Sequence, residues 1–304
     1  MVVFDFSKEE KIMFIDIHVH FRKYQTILRN GKYTYSTPEQ LLKRYDELGI
    51  EKAVVLPGGG PECRIQAQSE EEVLEICRKY PDRFIPFCNV DPRSVTNSPD
   101  APLDELLIYY KQQGCKGIGE VTANLPFLNP LVQNLFRHAE KVGLPVTFHI
   151  AAQIGGAYGL YDDPGLPQLE RTLQRFPNLC FLGHSQPFWA EMAQLETPAD
   201  RYRYPSYPVK KEGVVPKLFR RYKNLLGDLS AYSGFNAISR DIDYGVEFLN
   251  EFQDRLFFGT DICPPDTPTP LVDFLKKLRD EGRISKSVFN KIARENAVKL
   301  LGLT

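Results

Sequence analysis

The chain has 304 residues, of which 42% are hydrophobic and 25% are charged, and its formal net charge is −1. These proportions are typical of a globular protein and exclude a disordered, collagen-like or coiled-coil chain. The near-zero charge provides no overall basic field, so we expect no nucleic-acid partner and no attraction to anionic membranes.

Cysteine usage and the absence of apolar stretches favour a soluble cytoplasmic protein. The six cysteines include no CxxC pair, which is typical of reduced and mostly buried thiols. The first residues do not form a signal peptide, and no run of 18 apolar residues occurs in the chain. We therefore expect no membrane segment. The oligomeric state stays open, a homo-oligomer included.

Eight short apolar runs recur along the chain and predict strands that are covered on both faces. These runs are 12–17, 52–56, 84–88, 116–121, 145–150, 179–183, 225–229 and 256–260. Helical patterns lie between them, at 37–49, 69–80, 102–113, 129–142, 165–176, 214–223, 240–253 and 269–281. The first two of these helices begin at capping residues, Thr37 and Ser69.

Strands that alternate with helices in this way predict a (β/α)8 TIM barrel. The alternative is an open, doubly wound sheet, but the count of eight and the lack of a Gly-rich phosphate loop after the first strand favour the barrel. Residues 285–303 predict an extra C-terminal helix. Because composition does not change along the chain, we expect one domain over 1–304.

Two long connections, 22–36 and 185–213, follow predicted strands and are rich in aromatic residues. Loops at this end of a barrel usually form lids or pocket walls, although an inert surface insertion is the alternative. Trp189, in the second connection, is therefore a candidate for contact with substrate.

Six polar residues stand at the carboxyl ends of predicted strands, and they include four of the five histidines: His18, His20, Glu120, His149, His184 and Asp261. Side chains two residues apart on a strand point to the same side, so His18 and His20 both face the barrel axis. Three imidazoles and a carboxylate suit a divalent ion, most simply zinc, with manganese, iron or nickel as alternatives. A single strand-end histidine is usually structural, and it is the joint placement that indicates a metal site. His138, inside a predicted helix, is expected to be structural.

The motifs around these residues resemble those of the amidohydrolase superfamily, and most of all its amidohydrolase-related branch of metal-dependent barrels. They occur in the same order, as Phe14-Ile-Asp-Ile-His18-Val-His20, Leu144-Pro-Val-Thr-Phe-His149, Phe181-Leu-Gly-His184 and Phe258-Gly-Thr-Asp261. The resemblance covers nearly the whole chain. A lone His-x-His is a weak signal, whereas the ordered set is specific.

The resemblance implies roles for these residues. The ligands of a mononuclear site would be His18, His20, His149 and Asp261. Asp261 would also act as general base on activated water. His184 would bind a second metal ion or act as an acid on the substrate, so one or two ions per chain are both open.

Glu120 departs from the pattern of many superfamily members, which carry a lysine at this place. The Gly-Glu sequence is similar to that of the TatD-type metal-dependent nucleases, where a glutamate bridges two ions. A bridging ligand and a carboxylate that only orients a ligand histidine both stay open for Glu120.

Two arginines are candidates for holding a substrate carboxylate. Arg22 completes His18-x-His20-x-Arg22, and in some cyclic-amide hydrolases of the superfamily an arginine in this place grips a carboxylate, which a guanidinium fork does well. The alternative for Arg22 is a surface ion pair. Arg64, after the Gly run 58–60, is a weaker candidate.

We therefore expect a hydrolase that uses metal-activated water on a small, carboxylated amide, lactone or ester. The alternative is a metal-dependent decarboxylase or hydratase on the same barrel. A non-catalytic metal barrel is a third hypothesis, disfavoured because structural zinc sites are usually closed by four Cys or His ligands.

Overall fold

Eight parallel strands form the centre of the molecule in the computed structural model, which describes residues 14–58, 60–63 and 66–303. In chain order they are Phe14–Val19 (β1), Ile50–Val55 (β2), Phe84–Pro86 (β3), Ile118–Val121 (β4), Val146–Ala151 (β5), Phe181–His184 (β6), Leu225–Asp228 (β7) and Leu256–Phe257 (β8). Each overlaps one of the eight predicted runs, and the start of the first run, 12–13, lies outside the described residues.

Backbone pairing joins these strands into a ring. One sheet contains β1, β2 and β3, and a second contains β4 to β8 in chain order, with the two-residue strand Leu160–Tyr161 paired to β5 at its side. Two isolated parallel bridges link the sheets, one between Cys88 and Ile118 and the other between Val19 and Ile262. Both seams are thus closed, and the predicted (β/α)8 barrel is confirmed.

Seven helices connect the eight strands and an eighth follows β8, all at the predicted positions. They are Pro38–Leu48, Glu70–Lys79, Leu103–Gln112, Pro130–Val142, Pro167–Arg175, Val214–Arg221, Ile242–Glu251 and Pro270–Asp280. The predicted caps are present, since the Thr37 and Ser69 side chains accept the backbone N–H groups of Gln40 and Glu72. Within the described residues, no helix is long and apolar enough to cross a membrane.

The C-terminal segment packs against the barrel interior. It forms the helices Lys286–Asn290 and Asn296–Leu301 with a π-helical turn between them, where a single helix was predicted. Ala297 and Leu301 belong to the same buried apolar cluster as the strand residues Ile15 and Leu182. Because this apolar cluster fills the barrel interior, the polar strand residues lie at the carboxyl ends of the strands.

The loops at the carboxyl end contain structure that the sequence patterns do not predict. Two helices, Gln186–Ala190 and Ala231–Ser239, lie there, together with the 3₁₀ turn Pro198–Tyr202. A small hairpin pairs Leu28–Arg29 with Lys32–Tyr33. These elements build the wall around the barrel mouth.

Asp16 lies in β1 beneath the mouth and ties this strand to the segment after β8. Its carboxylate accepts the backbone N–H groups of His18 and Thr260 at 3.0 and 2.9 Å. It also accepts the hydroxyls of Tyr45 and Thr260, both at 2.5 Å. Burial raises the pKa of Asp16 to about 6, even though these hydrogen bonds act to lower it. Asp16 therefore fixes two of the segments that carry the polar cluster.

Candidate metal centre

The six strand-end residues converge at the carboxyl end of the barrel. The Nε2 atoms of His18 and His20 lie 2.9 Å apart. Glu120 Oε2 lies 3.9 and 3.6 Å from these two nitrogens, and Asp261 Oδ1 lies 3.6 and 3.7 Å from them. Four donor atoms thus face a common point.

A second group of donors adjoins the first through the other oxygen of Glu120. His149 Nδ1 lies 2.6 Å from Glu120 Oε1, and His184 Nε2 lies 3.8 Å from the same oxygen. His184 Nε2 is also 3.8 Å from Asp261 Oδ2. We name the set His18, His20 and Glu120 the first donor group, and the set Glu120, His149 and His184 the second; in each, the donor atoms lie within 4.8 Å of one another.

Strand geometry explains this placement. His149 and His184 are register partners on the adjacent strands β5 and β6, so their side chains emerge side by side. Asp261 has a backbone φ of 53°, in the left-handed region that aspartate tolerates better than most residues. Its N–H donates to the carbonyl oxygen of His18 at 2.8 Å, which holds the turn against β1.

The hydrogen bonds of the first two histidines fit a bound cation. His20 Nδ1 lies 2.8 Å from the carbonyl oxygen of Leu56, so this nitrogen carries the proton. His18 Nδ1 lies 2.6 Å from Asp228 Oδ2 and donates to that carboxylate. The two Nε2 atoms lie at hydrogen-bond distance, so one positive charge between them, a proton on His18 Nε2 or a metal ion in its place, stabilises the arrangement. Ligands about 2.1 Å from a tetrahedral zinc ion would lie about 3.4 Å apart. The spacings of 3.6 to 3.9 Å between the carboxylate oxygens and the two Nε2 atoms are close to this value, whereas the two Nε2 atoms lie nearer to each other, at 2.9 Å.

Asp228 is a member of this site that the sequence analysis missed. It ends β7 and is fully buried. Its Oδ1 accepts the N–H of Ser230 at 2.9 Å. Its Oδ2, the atom that faces His18, lies 3.5 Å from His184 Nδ1. Asp228 therefore contacts one imidazole from each donor group. The strand-end criterion, applied to the predicted run 225–229, would have selected it.

The carboxylates make the site strongly anionic. Burial lowers the pKa of His18, but Asp228, Asp261 and Glu120 outweigh this effect and raise it to about 10. For the Asp228 carboxyl, burial by itself acts to raise the pKa, yet the nearby imidazoles hold this pKa below its ordinary value. A site that stabilises positive charge on an imidazole also stabilises a metal cation in the same place.

A cavity of about 460 Å³ opens beside the two donor groups. His149, His184 and Asp261 contribute to its lining near the polar cluster. Its aromatic wall comes from the surrounding loops and consists of Tyr158, Tyr202 and Tyr204. The Tyr158 ring lies 4.6 Å from the His149 ring, centroid to centroid. This volume suits a small molecule.

The three residues predicted to contact substrate are not found in the described part of the cavity. Arg22 donates from Nε and Nη2 to the carboxylate of Glu72, both at 3.2 Å, so its charge is already paired, as in the alternative interpretation. Trp189 is 1% exposed and donates its indole N–H to the carbonyl oxygen of Asp228 at 2.9 Å. It supports the site from beneath instead of lining the cavity. Arg64 lies outside the described residues.

Comparison with solved structures shows that this fold is shared with known enzymes. A probable 2-pyrone-4,6-dicarboxylic acid hydrolase from Acinetobacter baumannii, with citric acid bound, is 16% identical with a TM-score of 0.58, over 95% of this chain and 99% of that one. A 5-carboxyvanillate decarboxylase from Sphingomonas paucimobilis is 17% identical with a TM-score of 0.61, over 96% and 100%.

A 5-carboxyvanillate decarboxylase from Novosphingobium aromaticivorans, complexed with manganese and 4-hydroxy-3-methoxy-5-nitrobenzoic acid, is 19% identical with a TM-score of 0.58, over 97% of this chain and 98% of that one. At these identities the likeness is one of fold. The search of curated proteins returned no match.

The family assignment rests on a match along almost the full sequence. The profile of the amidohydrolase family matches residues 15–303, a range that includes every member of the two donor groups as well as Asp228 and Asp261. The resemblance seen in the motifs is thereby confirmed, and the chain belongs to the amidohydrolase family of enzymes.

Proposed function

We propose that the protein is a metal-dependent hydrolase that cleaves an amide, lactone or ester bond in a small, carboxylated substrate. The observation that carries this proposal is the arrangement of donor atoms around Glu120. One oxygen of this carboxylate faces the Nε2 atoms of His18 and His20. The other is hydrogen-bonded to His149 Nδ1 at 2.6 Å, through a proton that a bound ion would displace, and lies 3.8 Å from His184 Nε2. A carboxylate shared in this way suits two divalent ions held side by side.

In this proposal the first donor group and Asp261 hold one ion, and the second donor group holds another. Imidazole and carboxylate ligands suit zinc and manganese alike, and we propose zinc as the simpler choice. When bound, the ions supply polarisation of the scissile carbonyl and activation of a water molecule.

Asp261 is the residue best placed to move the proton. Its side chain is 25% exposed, whereas the side chain of Glu120 is 8% exposed, so Asp261 reaches both the donor groups and the cavity. Its two oxygens face different donor groups, at 3.6 Å from His18 and 3.8 Å from His184. Asp261 accepts the proton of the attacking water and returns it to the leaving group.

A decarboxylase is the second candidate, and two observations favour it. Two of the structures compared above are decarboxylases of an aromatic acid, one of them with manganese. The cavity also has a tyrosine-rich wall, against which a planar ring would pack. In that reaction Asp261 or His184 would protonate carbon as carbon dioxide leaves.

The test is an isotope experiment on the metal-loaded protein. The protein is incubated in water enriched in oxygen-18 with a panel of carboxylated amides, lactones and esters, together with benzoate-like acids. The products are analysed by mass spectrometry. We expect a cleaved product that carries one heavy oxygen in its new carboxylate, and no such product with Asp261→Asn. Carbon dioxide release without incorporation would establish the decarboxylase instead. A metal-replete protein inert on the whole panel would contradict both.

A further inference from the structure

The loop between β6 and the helix Val214–Arg221 carries two of the cavity tyrosines. Tyr202 and Tyr204 are 51% and 46% exposed, so little packing of their own holds them in place. The Tyr202 hydroxyl donates to the carbonyl oxygen of Ala152 at 2.9 Å. The Tyr204 ring lies edge-on to Tyr232, with centroids 4.8 Å apart.

A buried ion pair adjoins these tyrosines. Arg201 is only 2% exposed and Glu191 only 6%, and Arg201 Nε donates to Glu191 Oε1 at 2.9 Å. The other guanidinium nitrogens donate to the carbonyl oxygens of Asp162 and Asp163, at 2.7 and 3.3 Å. Glu191 Oε2 in turn accepts the N–H of Gly165 at 2.7 Å. We call Arg201 and Glu191 the anchor pair.

The anchor pair joins two loops that are far apart in sequence. Residues 162–165 belong to the connection after β5, the strand that carries His149, and they lead directly into the helix Pro167–Arg175. Asp162 holds that junction through its side chain, which accepts the N–H groups of Gln168 and Leu169. The anchor pair therefore fastens the loop that carries Tyr202 and Tyr204 to residues 162–165, which hydrogen bonds hold to the next helix.

Net stability alone is a poor explanation for such a pair. The cost of removing two opposite charges from water offsets most of their attraction in the interior, so an apolar pair of similar size would serve as well. A charged pair with directional hydrogen bonds differs from an apolar pair in that it permits a single arrangement of the two loops.

We propose that Arg201 and Glu191 are positioning residues that hold Tyr202 and Tyr204 as a fixed wall of the cavity. This wall contacts the part of a small substrate that lies away from the donor groups. The inference rests on the proposed function in one respect, namely that the cavity is the substrate site. It makes the loop 185–213 a rigid wall and not a mobile lid.

Hydrogen exchange on the full, metal-loaded chain tests the anchor pair without a substrate. The variants are Arg201→Met and the double variant Arg201→Met with Glu191→Met, which leaves no buried charge unpaired. The matched control is Arg203→Met, an exposed arginine in the same loop. We expect the rate of amide hydrogen exchange in both 152–166 and 198–204 to rise about tenfold in the two anchor variants, and to stay unchanged in the control.

Metal content separates this inference from the proposed function, because the anchor variants should retain as much metal as the wild type. On the panel compound with the highest turnover, we expect KM to rise about tenfold while kcat stays within about threefold. Unchanged exchange in a folded anchor variant, or a change confined to 198–204, would overturn the inference. So would raised exchange with an unchanged KM. If no compound turns over, the proposed function fails, and exchange alone decides whether the anchor pair fixes the wall.

Discussion

The variant Asp261→Asn is expected to lower turnover by about 10²–10⁴-fold, the usual contribution of a general base. The amide has nearly the shape of the carboxylate, but it cannot accept a proton at neutral pH. Asp261 also faces both donor groups, so we expect the variant to lose metal as well. Steady-state rates and elemental analysis of the same preparations measure the two effects.

His138→Ala is the matched control for this experiment, paired with His149→Ala. His138 lies in the helix Pro130–Val142, 3.3 Å from Asp104, and belongs to neither donor group. His149→Ala should remove most of the bound metal and turnover while the protein stays folded, whereas His138→Ala should keep both. Full metal content and activity in Asp261→Asn and His149→Ala would show that the site is assigned wrongly.

The second large effect is expected from Asp228→Asn, although Asp228 does not face the cavity. Because Oδ1 accepts the N–H of Ser230, the amide oxygen is held at that position and the NH2 replaces Oδ2. There it would confront the Nδ1–H of His18, so the imidazole would have to change tautomer. The proton would then occupy Nε2, the atom that the first donor group needs as a ligand. Loss of such a supporting partner typically lowers metal affinity by about 10–100-fold. Titration of the metal-free protein with zinc or manganese measures this change.

Asp162→Asn supplies the comparison, because Asp162 is also fully buried and lies outside both donor groups. Its metal affinity should equal that of the wild type, whatever stability the variant loses. If Asp228→Asn binds metal as tightly as Asp162→Asn does, Asp228 does not orient the ligands.

The strands and the main helices follow from local sequence patterns. A buried parallel strand is a short apolar run, and Thr37 and Ser69 mark helix starts by chemistry that acts over three residues. The convergence of the polar cluster was also predictable, because all parallel strands of a barrel end on the same face. These are consequences of short-range order combined with one topological rule.

The features that sequence reasoning missed depend on contacts between distant segments. The helix Ala231–Ser239 contains serine, glycine and asparagine, which disfavour helices, and it forms where Ala237 and Ile238 pack into the core. Arg22 forms an ion pair with Glu72, which lies fifty residues away in the sequence. Trp189 looked like a wall residue, yet its short helix turns it into the core beneath Asp228. No local pattern encodes these pairings.

The number of metal ions per chain tests the central claim most directly. Elemental analysis would be made on protein purified without chelators or a histidine tag, then incubated with zinc or manganese and desalted. The shared position of Glu120 predicts about two ions per chain, falling to about one in Glu120→Gln. One ion in the wild type, unchanged in Glu120→Gln, would contradict the shared carboxylate. No bound ion in the wild type would contradict the metal centre itself.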